Sequence, residues 1–234
     1  MRPGRSARNM NEIHLNSRWP WIRHPFIFLL VMLFLLLAVT PFLEGFARLR
    51  FLFNAFLSAV LISAVYALSQ KIRNLAIAAL LAIPMLISIW AQYFVKSEAI
   101  FLIGRICGAC FIAFTIFHIL QNIFAEQDVT KDTIAGAAAV YLLFGLMWSF
   151  LYGVLEHIEP GSFAISEAQT LGERNIFIYY SFVTITTLGY GDIMPVTYIA
   201  SSLAVMEAVV GQLYLVVLVA WLVGMYVSKK SKSR

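Results

Sequence analysis

The sequence predicts an all-α integral membrane protein with six transmembrane helices and a short re-entrant helix and loop between the last two. Three observations carry this prediction. Hydrophobic residues make up 61% of the 234 and charged residues 12%, whereas soluble domains carry about 25% charge. So little charge cannot cover a water-facing surface, and the mean hydropathy is +0.84. The apolar residues also fall into runs of the length, about 20, that a bilayer-spanning helix needs. Finally, a Thr- and Gly-bearing stretch from Thr184 to Asp192 interrupts this pattern before the last run.

The spans are expected at Pro25–Leu43, Phe51–Leu68, Leu75–Val95, Ile100–Phe124, Thr133–Leu155 and Val196–Val227. The second is the weakest, with Asn54 near its start. Arg18 and Arg23 precede the first run as they would in a secretory signal. Its apolar core, however, exceeds the usual signal core of about 7–15 residues, and Thr40-Pro41-Phe42-Leu43-Glu44 offers no small-residue cleavage site. The first span is therefore expected to be retained. Four regions follow: a basic tail at 1–24, a four-helix region at 25–127, a unit at 131–228 with the last two spans, and a basic tail at 229–234. Neither tail is expected to hold a soluble regulatory domain.

The net charge is +5 and the pI about 9.3. The basic residues gather at the ends and between apolar runs, with no patch interleaved with polar contacts, which argues against nucleic acid. They fit topology signals instead. Arg2, Arg5, Arg8, Arg18 and Arg23 stand before the first span, and Lys229, Lys230, Lys232 and Arg234 after the last. Both termini are then cytoplasmic, which requires an even number of spans. Lys71 and Arg73 fall inside, and Glu156, Glu159, Glu167 and Glu173 outside. Arg48 and Arg50 outside, and the loop with Glu126, Asp128, Lys131 and Asp132 inside, fit less well. Cys107 and Cys110 form a CxxC without a second pair, and read as small residues packing between helices.

The chemistry lies in Thr184-Ile185-Thr186-Thr187-Leu188-Gly189-Tyr190-Gly191-Asp192. Non-helical backbone at membrane depth is tolerated only where it lines a cavity or is buried in protein. Gly189 and Gly191 can adopt positive φ, which lets successive carbonyls turn toward a common axis. Rings of such carbonyls, donated by four chains, can replace the hydration shell of K⁺. In this reading Thr187 adds its hydroxyl as the innermost ring, while the Leu188 and Tyr190 side chains point away from the axis. The Tyr190 hydroxyl needs a partner. Tyr179, Tyr180 and Thr184 are the candidates, and with Thr186 they form the expected support of the loop. Asp192 sits at the outer mouth. Residues from about Asn175 to Thr186 are expected to form a short helix whose C-terminal end, carrying roughly half a negative charge, points at the central cavity.

Thr186-Thr187-Leu188-Gly189-Tyr190-Gly191-Asp192 is similar to the signature filter of the tetrameric potassium channels, which have a helix–pore loop–helix architecture. The resemblance covers residues 131–228. It implies a homotetramer made with three identical subunits, K⁺ held at Thr187, Leu188, Gly189 and Tyr190, membrane lipid as the surroundings, no cofactor beyond the permeant ion, and a prokaryotic inner membrane. Leu188 departs from the Val or Ile usual in the family. Val183 stands where some bacterial members have an acidic residue that pairs with the filter aspartate, so Asp192 needs another partner or stays solvated. The run from Glu207 to Leu215 looks like the family's inner helix. There Gly211 is either a gating hinge or a close-packing site, and Gln212, Leu215 and Val219 are expected to line the cavity. Glu207 either attracts cations in that cavity or is bonded behind the filter, the second being favoured.

A voltage sensor needs several charges in the field, each worth about 2.3 kcal/mol per 100 mV. The fourth span carries only Arg105 as a strong cation, so steep voltage gating is not expected. Arg105 is either a lipid-facing snorkeler or part of a packed polar contact. His118 reads as a packing residue, and His157, beside Glu156 and Glu159, as a candidate pH sensor. No Ser/His/Asp, metal-ligand or phosphate-cradling constellation marks an enzyme. The sequence thus points to a passive potassium-selective pore. The competing readings are a weakly selective cation channel, a potassium-transporter subunit (which would carry four such loops in one chain) and a non-conducting membrane sensor or scaffold.

Overall fold

Leu29, Leu33 and Leu36 recur at helical spacing and are all buried, and the same period decides which face of each long helix turns inward. A computed structural model describes residues 25–44, 50–68, 72–91, 93–95, 97–126, 129–165 and 176–232. Its helices are α1 (Pro25–Glu44), α2 (Arg50–Leu68), α3 (Ile72–Ala91), α4 (Glu98–Ala125), α5 (Lys131–Ile158), α6 (Ile176–Ile185) and α7 (Tyr198–Lys232). Two short strands, β1 (Phe163–Ile165) and β2 (Ile193–Pro195), pair antiparallel with Phe163 opposite Pro195 and Ile165 opposite Ile193. This strand pair was not foreseen. Each strand has three residues, too few for an alternating pattern to register.

Among the described residues, four stretches are long and apolar enough to cross a membrane: Asn74–Ala91, Glu98–Ala125, Lys131–Ile158 and Tyr198–Leu222. The apolar stretches Pro25–Val39 and Asn54–Val65 are shorter. The described residues thus form a mainly helical integral membrane protein with four candidate spans; six were expected for the whole chain. The amino-terminal basic tail, Arg48, Lys71, Asp128, Glu167, Glu173 and Arg234 lie outside the described residues.

The core joins α1 to α5. Phe26, Leu29 and Leu33 of α1, Leu57 and Leu61 of α2, Met85 of α3, and Phe111, Ile112 and Ile119 of α4 pack with Val140 and Leu143 of α5. Helix α5 touches α1, α4, α6 and α7. Accordingly, 56% of its apolar stretch is buried, against 11% for α7.

Polar contacts pin both ends of α5. At its start, Thr130 and Thr133 form a reciprocal cap, and the Thr133 hydroxyl donates to Glu126 at the end of α4. Asp132 accepts the Ile27 backbone N–H at 3.1 Å, satisfying an orphan donor in the first turn of α1. Near the other end, the Arg105 guanidinium donates to the Gly153 carbonyl and lies 4.1 Å over the Phe101 ring. Arg105 is therefore a packed contact between α4 and α5. His118 stacks edge-on against Phe114, with ring centroids 4.5 Å apart, and sits 3.4 Å from Asn74.

Helices in lipid approach closely through small residues. At Gly104 an added β-carbon would coincide with the Ser88 side chain, and at Gly108 it would meet Met85 Sδ at 2.9 Å. Gly104→Val is therefore expected to force α3 and α4 apart and to cost about 1–3 kcal/mol, as overpacking does. Thermal unfolding of the purified protein in detergent checks this; an unchanged midpoint would refute the close approach.

Candidate functional site

Helix α6 ends at Ile185, and its last carbonyls are taken up by the loop that follows. Thr187 N donates to Thr184 O at 2.9 Å, and Leu188 N and Gly189 N both donate to Val183 O, at 2.9 and 3.2 Å. The Thr186 hydroxyl returns to Phe182 O at 2.5 Å, and the Tyr141 hydroxyl reaches Ile185 O at 3.2 Å from α5. The loop is thus folded back onto the end of its helix.

Beyond this point every second residue is left-handed: φ is 59° at Thr187, 60° at Gly189 and 77° at Gly191. Glycine adopts this conformation freely. Thr187 does so against the strain of a β-branched side chain, which is characteristic of functional segments. Such alternation swings successive carbonyls toward the same side. Residues 186–191 are all exposed in the single chain, including Leu188 at 55% and Tyr190 at 67%.

Asp192 has the partner that Val183 cannot supply. The Tyr179 hydroxyl donates to its Oδ2 at 2.7 Å, and Ile193 N donates to Oδ1 at 3.1 Å. Tyr179 thus holds Asp192, a role not assigned to it from the sequence. Tyr180 is likewise engaged, with Thr184 on its own helix. After Asp192, β2 pairs with β1 and Val196 N donates to Ser162 O at 2.9 Å, which ties the far end of the loop to the segment after α5. Glu156 caps that segment, accepting Gly161 N at 2.8 Å and Phe163 N at 3.2 Å.

Glu207 lies behind the loop and is fully buried, so the cavity-facing reading does not hold. The Tyr152 hydroxyl of α5 meets its Oε2 and the Ser181 hydroxyl of α6 its Oε1. Ser181 also donates to Gly145 O at 2.6 Å. Tyr152, Phe163, Phe177 and Tyr180 enclose this group edge-to-face, with Tyr152 and Tyr180 centroids 5.0 Å apart and Phe163 and Phe177 5.1 Å apart. Tyr152 and Ser181 were missed by sequence reasoning. Their signal was a polar group on each of two apolar helices, with nothing in the sequence to say that the two meet at Glu207.

Gly211 is a close-packing site: an added β-carbon would fall 2.5 Å from Ile185 Cγ1 and 3.1 Å from Ile185 O. Gln212 and Val219 are exposed and Leu215 is half-buried. Cys107 and Cys110 are free thiols, half-buried and exposed respectively.

Among the described residues, apolar helices of spanning length stand on either side of a short helix and its glycine-bearing loop, which defines a membrane protein. Residues 129–228 match the family model described as ion channel. Searches among curated proteins and among solved structures each returned no match.

Gly211→Ala is expected to push α7 off the end of α6 and to lower stability by about 1–3 kcal/mol. Thermal unfolding in detergent reads this out. A variant as stable as the wild type would speak against close packing and for a hinge.

Proposed function

We propose that this chain is one subunit of a homotetrameric, potassium-selective channel. Its Thr187, Leu188, Gly189 and Tyr190 carbonyls, with the Thr187 hydroxyl, would replace the water around K⁺ as the ion passes. The observation that carries the reading is the alternate left-handed backbone at Thr187, Gly189 and Gly191, since carbonyls aimed to one side are what a K⁺ filter requires. The C-terminal end of α6 leads directly into that segment, so its partial negative charge favours a cation there.

Support for four copies comes from surfaces left uncovered in one chain. Leu188, Tyr190, Val205, Val209, Leu213 and Val216 are exposed, which is unusual for apolar groups beside buried ones unless another protein surface or lipid meets them. We take the chain to have six spans, with α1 and α2 included, a re-entrant α6 and both termini cytoplasmic. Asp192, held by Tyr179 and Ile193, stands at the outer mouth. The first four helices carry no arginine series, so the channel is not steeply voltage-gated. The prokaryotic inner membrane follows from the resemblance alone. A second reading, a weakly selective cation channel, is kept by Leu188, which replaces the family's β-branched residue.

The test is the reversal potential of the reconstituted protein with K⁺ on one side of a bilayer and Na⁺ on the other. A value near the K⁺ equilibrium potential is expected. Gly189→Ala should abolish the selectivity: a β-carbon there meets nothing within 4 Å in the chain, but at φ 60° a side chain costs about 1–2 kcal/mol. Reversal near zero with clear current would move the assignment to a non-selective cation channel.

A further inference from the structure

We propose that Glu207 is a neutral carboxylic acid, and that in this form it is the positioning residue that locks α5, α6 and α7 together behind the loop. The second half of this proposal rests on the pore reading; the first half does not.

The argument is a count of protons. Three oxygen–oxygen contacts run in series: Tyr152 Oη to Glu207 Oε2, Glu207 Oε1 to Ser181 Oγ, and Ser181 Oγ to Gly145 O. Each contact needs one proton between its oxygens. A phenol supplies one, a serine hydroxyl one and a backbone carbonyl none. Two protons cannot serve three contacts, so the third comes from the carboxyl. Tyr152 donates to Oε2, the Glu207 acid donates from Oε1 to Ser181, and Ser181 donates to Gly145 O. Were Glu207 ionised, Ser181 could satisfy only one of its two acceptors, and the other pair would meet lone pair to lone pair.

The surroundings agree. Glu207, Ser181 and Tyr152 are each buried, at 0% exposure. The ionisable side chains facing Glu207 are the phenols of Tyr141 and Tyr152 on α5 and Tyr180 on α6. Among the described residues, the groups acting on Glu207 include no cation to balance a buried negative charge, and a buried charge without a partner is strongly disfavoured.

The geometry explains why this one group matters to the loop. Ser181 lies one turn before Ile185, and Ile185 is the residue against which Gly211 of α7 packs. An acid bonded on both oxygens therefore fixes the rotation of α6 relative to α5 and α7, and α6 carries the loop at its end. Glutamine can reproduce the pattern, with its amide N–H₂ toward Ser181 and its carbonyl toward Tyr152. Aspartate is one methylene too short to reach both.

The experiment compares infrared spectra of the full chain in liposomes, wild type against Glu207→Gln, near neutral pH in H₂O and D₂O, together with K⁺ and Na⁺ flux. The expected result is a carbonyl band of a protonated carboxylic acid in the wild type, shifted on deuterium exchange and absent in Glu207→Gln. A difference spectrum holding only carboxylate bands would overturn the proton assignment. In the flux assay Glu207→Gln should keep K⁺ over Na⁺ discrimination within about twofold, while Glu207→Asp should lose about tenfold or more, the equivalent of one lost buried hydrogen bond. Glu207→Asp matching the wild type would overturn the positioning role. An acid band in a protein that passes no K⁺ would uphold the proton assignment and overturn the pore reading alone.

Discussion

A backbone that leaves helical hydrogen bonding inside a membrane has no water to turn to, so protein must satisfy or enclose it. On the proposed pore reading the loop from Thr186 to Asp192 is under this constraint, and its contacts within the chain answer it. At the near end the loop's own N–H groups return to the last carbonyls of α6. At the far end Asp192 is held by Tyr179 and Ile193, and the strand pair closes on the segment after α5. Behind it stands the Glu207 cluster. What remains exposed in the single chain is the middle, residues 186–191.

The two long helices within residues 129–228 are unevenly buried. Helix α5 is surrounded by its own chain, while α7 is mostly bare. Stability within the chain therefore flows through α5, which receives α1, α4, α6 and α7. Glycines on α5 make this crowding possible. A β-carbon at Gly145 would strike the Phe182 ring at 2.7 Å, and at Gly153 it would meet the Arg105 guanidinium. Small residues here replace the hydrophobic driving force that lipid removes between spanning helices.

Long-range order in the sequence was legible where it rests on local chemistry. Apolar run length placed the helices, and the Gly189–Tyr190–Gly191 pattern marked the loop, because both depend on a residue's own preference. What escaped depends on which side chains meet across the fold. Thr187 carries no local sign that it would join the glycines at positive φ. The three-residue strands have no periodicity to read. Glu207 stood out in the sequence as an ionisable residue within an apolar run, yet Tyr152 and Ser181 look like ordinary members of apolar helices until α5 and α6 are placed beside it. Gly211 shows the same limit: its sequence fits a hinge and a contact equally, and only the position of Ile185 decides.

The first four helices can be judged on mechanical grounds. A voltage sensor must slide several charges through the field while its neighbours stay in place. Here the strong cation of α4, Arg105, is spent on the Gly153 carbonyl of α5 and the Phe101 ring. The other end of α4 is fastened to α5 through Glu126 and Thr133, and Phe124 of α4 meets Trp221 of α7 edge-on at a centroid distance of 5.4 Å. Asp132 at the start of α5 holds the first turn of α1. A sliding motion of α4 would have to break contacts at both of its ends at once. Motion of this region is therefore coupled to α5 as a body, and a stimulus acting on it would have to tilt or shift α5 and, through Trp221, α7.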